Sequence, residues 1–280
     1  MTHSPSPWTT VPIDVVGSIA VVDLEAVCEL FGRDMLPYPL GRSRPVGSVW
    51  LLTREVGSVD DRLNGGDLVA VRAWVEAFAR ADACIGCRVR AAGENTPDLR
   101  LQGLLAGEAG FVAAHHRGPD GVDIVDIYAV PPAAVSTVIA DSVGLVGAGS
   151  HSRIAVAGLE DRLPAPSSDV LEEYDQFGFL IPRAAPEGPP VRVVDGSDVA
   201  AIGTVQSVSG ETWHFVRIDG DGDYLYAPED AGYAEPLDTE SLRACIDGEM
   251  PVGWGGSVGW GGSAGWDESG EWGESSDWDE

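Results

Sequence analysis

From Ile85 onward the apolar residues stop recurring every third or fourth position and begin to alternate, and this change of period constrains the fold most. Ile85 to Ala92, Leu99 to Ala106, Gly110 to Arg117 and Val122 to Val130 read as strands, separated by turn clusters such as Gly118-Pro119-Asp120-Gly121. Links this short join only antiparallel neighbours.

Helical spacing brackets the strands. Behind Asp23, a good N-cap, Leu24, Val27, Cys28 and Phe31 predict a helix over 23–32, which Leu36-Pro37-Tyr38-Pro39-Leu40 then breaks. After Gly65-Gly66, Asp67 caps a second helix to about Ala81, with Leu68, Val71, Trp74 or Val75, and Phe78 as its apolar stripe. Pro131-Pro132 opens a third helix carrying Val135, Val138, Ile139 and Val143, since a first turn tolerates the missing N–H of proline. A strand near Arg153 to Ala157 follows the Gly147-Ala148-Gly149 turn.

The Pro-, Ser- and acid-richer stretch Leu163 to Pro190, with one short helix near Asp169 to Gln176, reads as a junction. Beyond it the pattern returns: strands near Val191 to Val194, Ala200 to Val208, Thr212 to Ile218 and Asp223 to Ala227, then a helix from Asp238 to about Asp247. Four strands and a helix thus occur twice. The expectation is an α+β fold of two similar subdomains, 1–163 and 164–250, whose antiparallel sheets join edge to edge.

Residues 251–280 follow other rules. Trp254, Trp260, Trp266, Trp272 and Trp278 recur every sixth position among Gly, Ser and acids, with seven acidic residues and no basic one. So few aliphatic residues cannot offset the entropy of ordering, and a disordered tail is expected. Six extended residues reach ~20 Å, so the Trp side chains can engage separate pockets on one partner, or the tail can serve simply as a solubilising repeat.

Charge and composition exclude much chemistry. All 17 basic residues are Arg, and the formal charge is −28, which repels phosphate backbones and anionic membranes. Nucleic acid is not an expected partner. Absence of Lys removes phosphate-loop, Schiff-base and lysine general-base mechanisms. No apolar run reaches the ~18 residues that span a bilayer, and Asp14 rather than a basic residue precedes the apolar Val15 to Val22, so a cytosolic protein without membrane insertion is expected.

The individual motifs read as structural. Cys84 and Cys87 have the spacing of a redox pair, yet the helix precedes the strand and no second Cys pair stands at zinc spacing, so Cys28, Cys84, Cys87 and Cys245 read as small apolar residues. His115 and His116 are adjacent on a strand and point to opposite faces. Ser150-His151-Ser152 sets a hydroxyl beside an imidazole but lacks a nucleophile elbow. Asp219-Gly220-Asp221-Gly222-Asp223 resembles the start of a calcium loop, except that Tyr224 stands where Gly is needed, and a Gly/Asp hairpin turn explains it better. No catalytic residue, metal ligand or cofactor is predicted, and the chain reads as a non-enzyme.

The run Asp23-Leu24-Glu25-Ala26-Val27-Cys28-Glu29-Leu30-Phe31 and the Pro-bounded Leu36 to Leu40 resemble the opening of the EspG family of type VII (ESX) secretion-associated proteins from actinobacteria. Asp126-Ile127-Tyr128-Ala129-Val130-Pro131-Pro132, the Gly147-Ala148-Gly149-Ser150 turn and the closing strand pair with its helix continue the likeness over most of residues 10–250. The resemblance implies a quasi-two-fold arrangement of the two subdomains, a central antiparallel β-sheet with flanking helices, and a cytosolic chaperone that holds the apolar tip of a PPE protein in a PE–PPE pair and delivers it for export. Aromatic anchors dominate interfaces, so Trp213, Phe215, Tyr224 and Tyr226 are the expected partner-binding residues, with membership of the core as the competing reading. An acidic immunity protein neutralising a basic toxin is the alternative function. A hydrolase ranks third, for want of an assembled nucleophile, base and oxyanion donors.

Overall fold

The computed structural model describes residues 11–33, 35–42, 58–93, 96–157, 192–226 and 233–250. The junction helix expected near 169–176, the boundary near 163 and the tail 251–280 lie outside these residues. The fold is α+β. Among the described residues eleven strands, numbered in chain order with their bounds given below, form one sheet in the order β1-β5-β4-β3-β2-β8-β9-β10-β11-β6-β7, antiparallel throughout except for β6 beside β7.

Strand β1 (Asp14–Ala20) runs without a loop into helix α1 (Val21–Leu30). Asp23 is therefore not the N-cap. Ala20 takes that position, and Asp23 in the first turn pairs with Arg62 of α2 (Val59–Gly65). The Ser58 hydroxyl caps α2 by accepting from the Asp61 N–H. Asp67 also goes to Arg62, and the helix expected from it begins later: a 3-10 turn at Val69–Val71 leads into α3 (Arg72–Ala79).

The four-strand meander β2 (Ala83–Ala91), β3 (Leu99–Ala106), β4 (Ala109–Arg117) and β5 (Asp123–Val130) follows as the alternation predicts. Pro132–Ala134 forms a 3-10 turn ahead of α4 (Val135–Val143), which ends at Gly144 in the left-handed region, φ +62°. The second meander comprises β8 (Val199–Ser207), β9 (Thr212–Ile218), β10 (Gly222–Tyr226) and the three-residue β11 (Ala234–Pro236), then α5 (Thr239–Glu249) capped by Asp238. The two meanders meet where β2 pairs with β8 and diverge in opposite directions. Strand β7 (Arg192–Asp195), expected to open the second set, instead pairs with β6 (Ile154–Ala157) at the far edge.

That edge placement bends the sheet. Strand β7 lies five places from β8, a separation of ~24 Å in a flat sheet, yet four residue steps of chain reach only ~14 Å. The strands from β8 to β7 must therefore curl, and their concave face collects Ile154, Val156, Val194, Val216, Ile218, Tyr224 and Tyr226 into one buried cluster. On the other half of this face, α1 to α3 cover Leu104, Phe111, Val125 and Ile127. Helices α4 and α5 pack together on the opposite face over residues of both meanders, Ile85, Leu101 and Val112 from one and Val205 and Phe215 from the other.

Three of the four cysteines are buried, and Cys84 and Cys87 join different clusters on opposite faces of β2. Burial pushes both thiols up to about 12, so each is a protonated, unreactive side chain at neutral pH.

Candidate docking surface

The four aromatic residues expected at a partner surface do not form one. Phe215 packs with α4 and α5, Tyr224 and Tyr226 lie on the other face inside the curl, and all three are buried. Phe215 pairs with Leu225, and Tyr224 with Val216, so the two-residue alternation of β9 and β10 sends these side chains to opposite sides. Only Trp213 is half-buried rather than buried.

Tyr224 instead organises a polar knot with the Ser150-His151 pair and the β9–β10 turn. Its hydroxyl donates to Asp221 Oδ2 (2.7 Å) and accepts from the His151 N–H (3.1 Å). Ser150 gives both its N–H (2.9 Å) and its hydroxyl (2.6 Å) to Asp221 Oδ1. Arg192 Nη1 lies against the His151 ring, 2.8 Å from Nε2 and 3.3 Å from Nδ1, and Nδ1 faces Asp221 Oδ2 at 3.1 Å and the Ser150 hydroxyl at 3.0 Å. A hydrolytic serine must give its proton to an imidazole held on its far nitrogen by the acid. Here serine and acid share one ring nitrogen and the hydroxyl donates to the carboxylate, so the cluster ties the loop before β6 to the hairpin. Gly149 shows how closely: a Cβ there would lie 1.9 Å from the Tyr224 ring.

Burial would push the Asp221 carboxyl up, but the hydrogen bonds from Ser150, Tyr224 and His151 outweigh it and hold the group well below the usual carboxylate range. A depressed folded-state value means that the stabilisation is complete above the ordinary aspartate value and is lost as pH falls through ~4 toward the folded value. Asp221→Asn is expected to cost about 1–3 kcal/mol at neutral pH and less in acid, because the wild type loses the same contribution there. Urea unfolding at about pH 7 and about pH 3 checks this; an equal cost at both would contradict it.

The remaining motifs resolve similarly. His115 is buried, with Nε2 3.3 Å from Asp123 Oδ1 but not aligned for a hydrogen bond, while His116 is exposed on the other face beside Asp126. Within the acidic hairpin, Asp223 accepts from Arg217 Nε (2.8 Å) and the Val146 N–H (2.6 Å), on the face opposite Tyr224. The carboxylates of Asp221 and Asp223 are thus engaged by protein donors rather than turned toward a common centre.

What the surface does offer is an open groove of about 710 Å³ along the end of α1 and the segment after it, lined by Glu25, Cys28, Glu29, Arg33, Met35 and Leu36. Leu30 (50% exposed), Phe31 (42%) and Met35 (80%) lie at this end of α1, and Val22 (53%) is exposed two turns earlier. No family model and no curated protein matches this chain. The groove must therefore be judged on its own chemistry.

Its floor is firm. Arg33 donates to the Phe78 carbonyl (3.0 Å) at the end of α3 and lies 4.3 Å over the Phe78 ring, and Arg42 forms an ion pair with Glu25. Tyr38 crosses the sheet at Gly86, where a Cβ would come within 2.5 Å of the Tyr38 carbonyl oxygen. The rim combines apolar side chains with the exposed carboxylate of Glu29. The sequence carried a sign of it: α1 has Val22 and Leu30 in addition to the Leu24, Val27 and Cys28 that its buried face needs. Phe31, assigned inward by spacing alone, is the C-cap, where the backbone leaves the helical path.

Proposed function

We propose that this protein is a cytosolic secretion chaperone that binds the exposed apolar tip of a helical, PPE-like type VII (ESX) substrate, keeps it soluble and delivers it to the export machinery. The observation that carries the reading is the exposure of Leu30, Phe31 and Met35 at the end of α1 and just after it, with Met35 lining an open groove. Contiguous apolar surface rimmed by polar groups is the mark of a binding site. The broad sheet supports the groove on a backbone that need not reorganise on binding. The formal charge of −28 keeps a complex with an apolar client from self-association. The resemblance of the opening helix and the Pro-bounded segment to the EspG family supports the choice of client.

Calorimetry with a purified PE–PPE pair is expected to show binding that Phe31→Ser/Met35→Ser weakens by about tenfold or more, as loss of interface anchors does. Both side chains are exposed, so the variant keeps its fold. Binding unaffected by the double substitution would remove this groove from the mechanism. Absence of binding together with inhibition of a basic nuclease toxin would replace the chaperone by the immunity reading.

A further inference from the structure

Residues 35–42 return from α1 across the sheet as a strap. Tyr38 lies on Gly86 of β2, Leu40 is fully buried, and the Gly41 carbonyl accepts from Arg100 Nη1 of β3 at 2.8 Å. Arg42 then turns back to α1, where it pairs with Glu25. The seam below the strap is incompletely satisfied: Gln102 Oε1 and His115 Nε2, both buried, have no hydrogen-bond partner among the described residues. Gln102 is the cross-strand partner of Gly86, and His115 on β4 is that of Arg100, so both lie along the path of the strap. A buried polar atom without a partner costs free energy, and a segment resting on such atoms opens more readily than the sheet beneath it.

We propose that this strap is an acid-released gate of the groove, opened when the buried His115 ring takes up a proton opposite Arg100. Met35, Leu36 and Gly41 form one wall of the groove and α1 the other, so the strap cannot lift without widening it. The charges around the ring set the sign. Arg100 holds the Gly41 carbonyl, and like charges directly opposite on neighbouring strands repel. Asp98 is already shared between Arg88 and Arg100. Asp123 on β5, 3.3 Å from His115 Nε2, favours the charged ring, but it also attracts Arg42 of the strap, which is paired with Glu25 of α1. His116 stands on the other face of β4 beside Asp126. Burial first, and then Arg100, prevail over Asp123 and hold the ring below the ordinary histidine value. The neutral ring therefore stabilises the closed strap fully above about pH 6.5, and this stabilisation is lost as pH falls through the lower folded value. Opening of the strap does not depend on the client; its effect on client binding rests on the proposed role of the groove.

Hydrogen exchange of the Leu40 amide, which donates to the Pro37 carbonyl at 2.8 Å within the strap, tests this in the full chain. Corrected for the intrinsic pH dependence of exchange, its protection is expected to fall about fivefold or more between about pH 7.5 and about pH 5, while the amides of β3 and β4 keep theirs. In His115→Gln, which stays uncharged, protection at the two pH values should agree within about twofold. Asp123→Asn removes the carboxylate that favours the charged ring and should move the fall to lower pH, which decides the matter should His115→Gln not fold. A Leu40 amide equally protected at both pH values overturns the proposal. So does an acid loss that persists in His115→Gln, or one that Asp123→Asn leaves at the wild-type pH. Opening in acid without any change in affinity for a PE–PPE pair supports the strap and counts against the groove as the client site.

Discussion

Gly203→Ala is expected to destabilise the protein by about 3 kcal/mol, the upper end of what overpacking a core costs. Gly203 on β8 is the cross-strand partner of Phe215 on β9, and a Cβ added there would lie 1.9 Å from Cζ and 2.1 Å from Cε1 of that ring. The ring cannot swing away, because Phe215 is 1% exposed and packed in the cluster that includes Val205, Leu242 and Ile246. Either the ring leaves its rotamer or β8 and β9 part, next to the junction where β8 pairs with β2. Phe215→Leu in the same background should recover part of the loss, giving a coupling energy of about 1 kcal/mol or more between the two sites. Gly248→Ala provides the contrast: its Cβ would meet nothing within 4 Å in α5, and helix propensity predicts a gain of about 0.5–1 kcal/mol. Denaturant midpoints for the variants decide the matter. A cost for Gly203→Ala below about 1 kcal/mol would mean that the ring does not rest on the glycine.

The second large effect is expected at Arg62. Its guanidinium makes two paired contacts, Nη1 and Nη2 with Asp23 at 2.7 and 3.0 Å, and Nε and Nη2 with Asp67 at 2.8 and 2.9 Å. Hydrogen bonds to the two carboxylates hold the Arg62 charge more firmly than that of a free guanidinium. The side chain is 8% exposed and that of Asp23 18%, so removing the arginine strands a largely buried carboxylate between α1 and α2. Loss of one partner of such a pair costs roughly 3 kcal/mol or more, nearly all of it from Asp23, since Asp67 is mostly in water. Arg62→Lys should rescue little, as one ammonium cannot serve two carboxylates with paired bonds. Arg72→Ala, which breaks the half-exposed pair with Glu76 on α3, should cost no more than about 0.5 kcal/mol. Equal costs at Arg62 and Arg72 would show that the Asp23 contact is solvated.

Local pattern made most elements legible. The strands from β2 to β5 and from β8 to β10 lie within a residue or two of their expected places, because alternation and Gly/Asp turns are encoded within each segment. Helix α5 begins where Asp238 predicts, its carboxylate accepting from the Ser241 N–H. Strand β1 and helix α2 carry weaker signals. β1 passes directly into a helix with no turn residue, and α2 is too short to show a full apolar stripe. The three-residue β11 has no pattern to read and exists because β10 and β6 offer it partners.

The candidate site was legible only as excess. Aromatic residues on β9 and β10 drew attention by type, but a large side chain on a strand is equally suited to a core, and the curl of the sheet takes Tyr224 and Tyr226 inside. The groove depends on where Phe31 and Met35 leave the helix, a matter of backbone path rather than residue identity. His151 and Asp221, seventy residues apart, meet because the loop before β6 lies along the β9–β10 hairpin.

The amino-acid sequence by itself determined the class of structure and the sign of the electrostatics: period-two segments joined by tight turns can only build antiparallel sheet, and a Lys-free composition of net −28 follows from counting. Tertiary structure alone decided which polar residues meet, which aromatics are core, where the sheet curls and which side chains of α1 remain in water. The reason is the range of the forces involved. Hydrogen-bonded turns and side-chain alternation act over a few neighbouring residues, whereas burial and charge pairing depend on strands brought together from opposite ends of the chain.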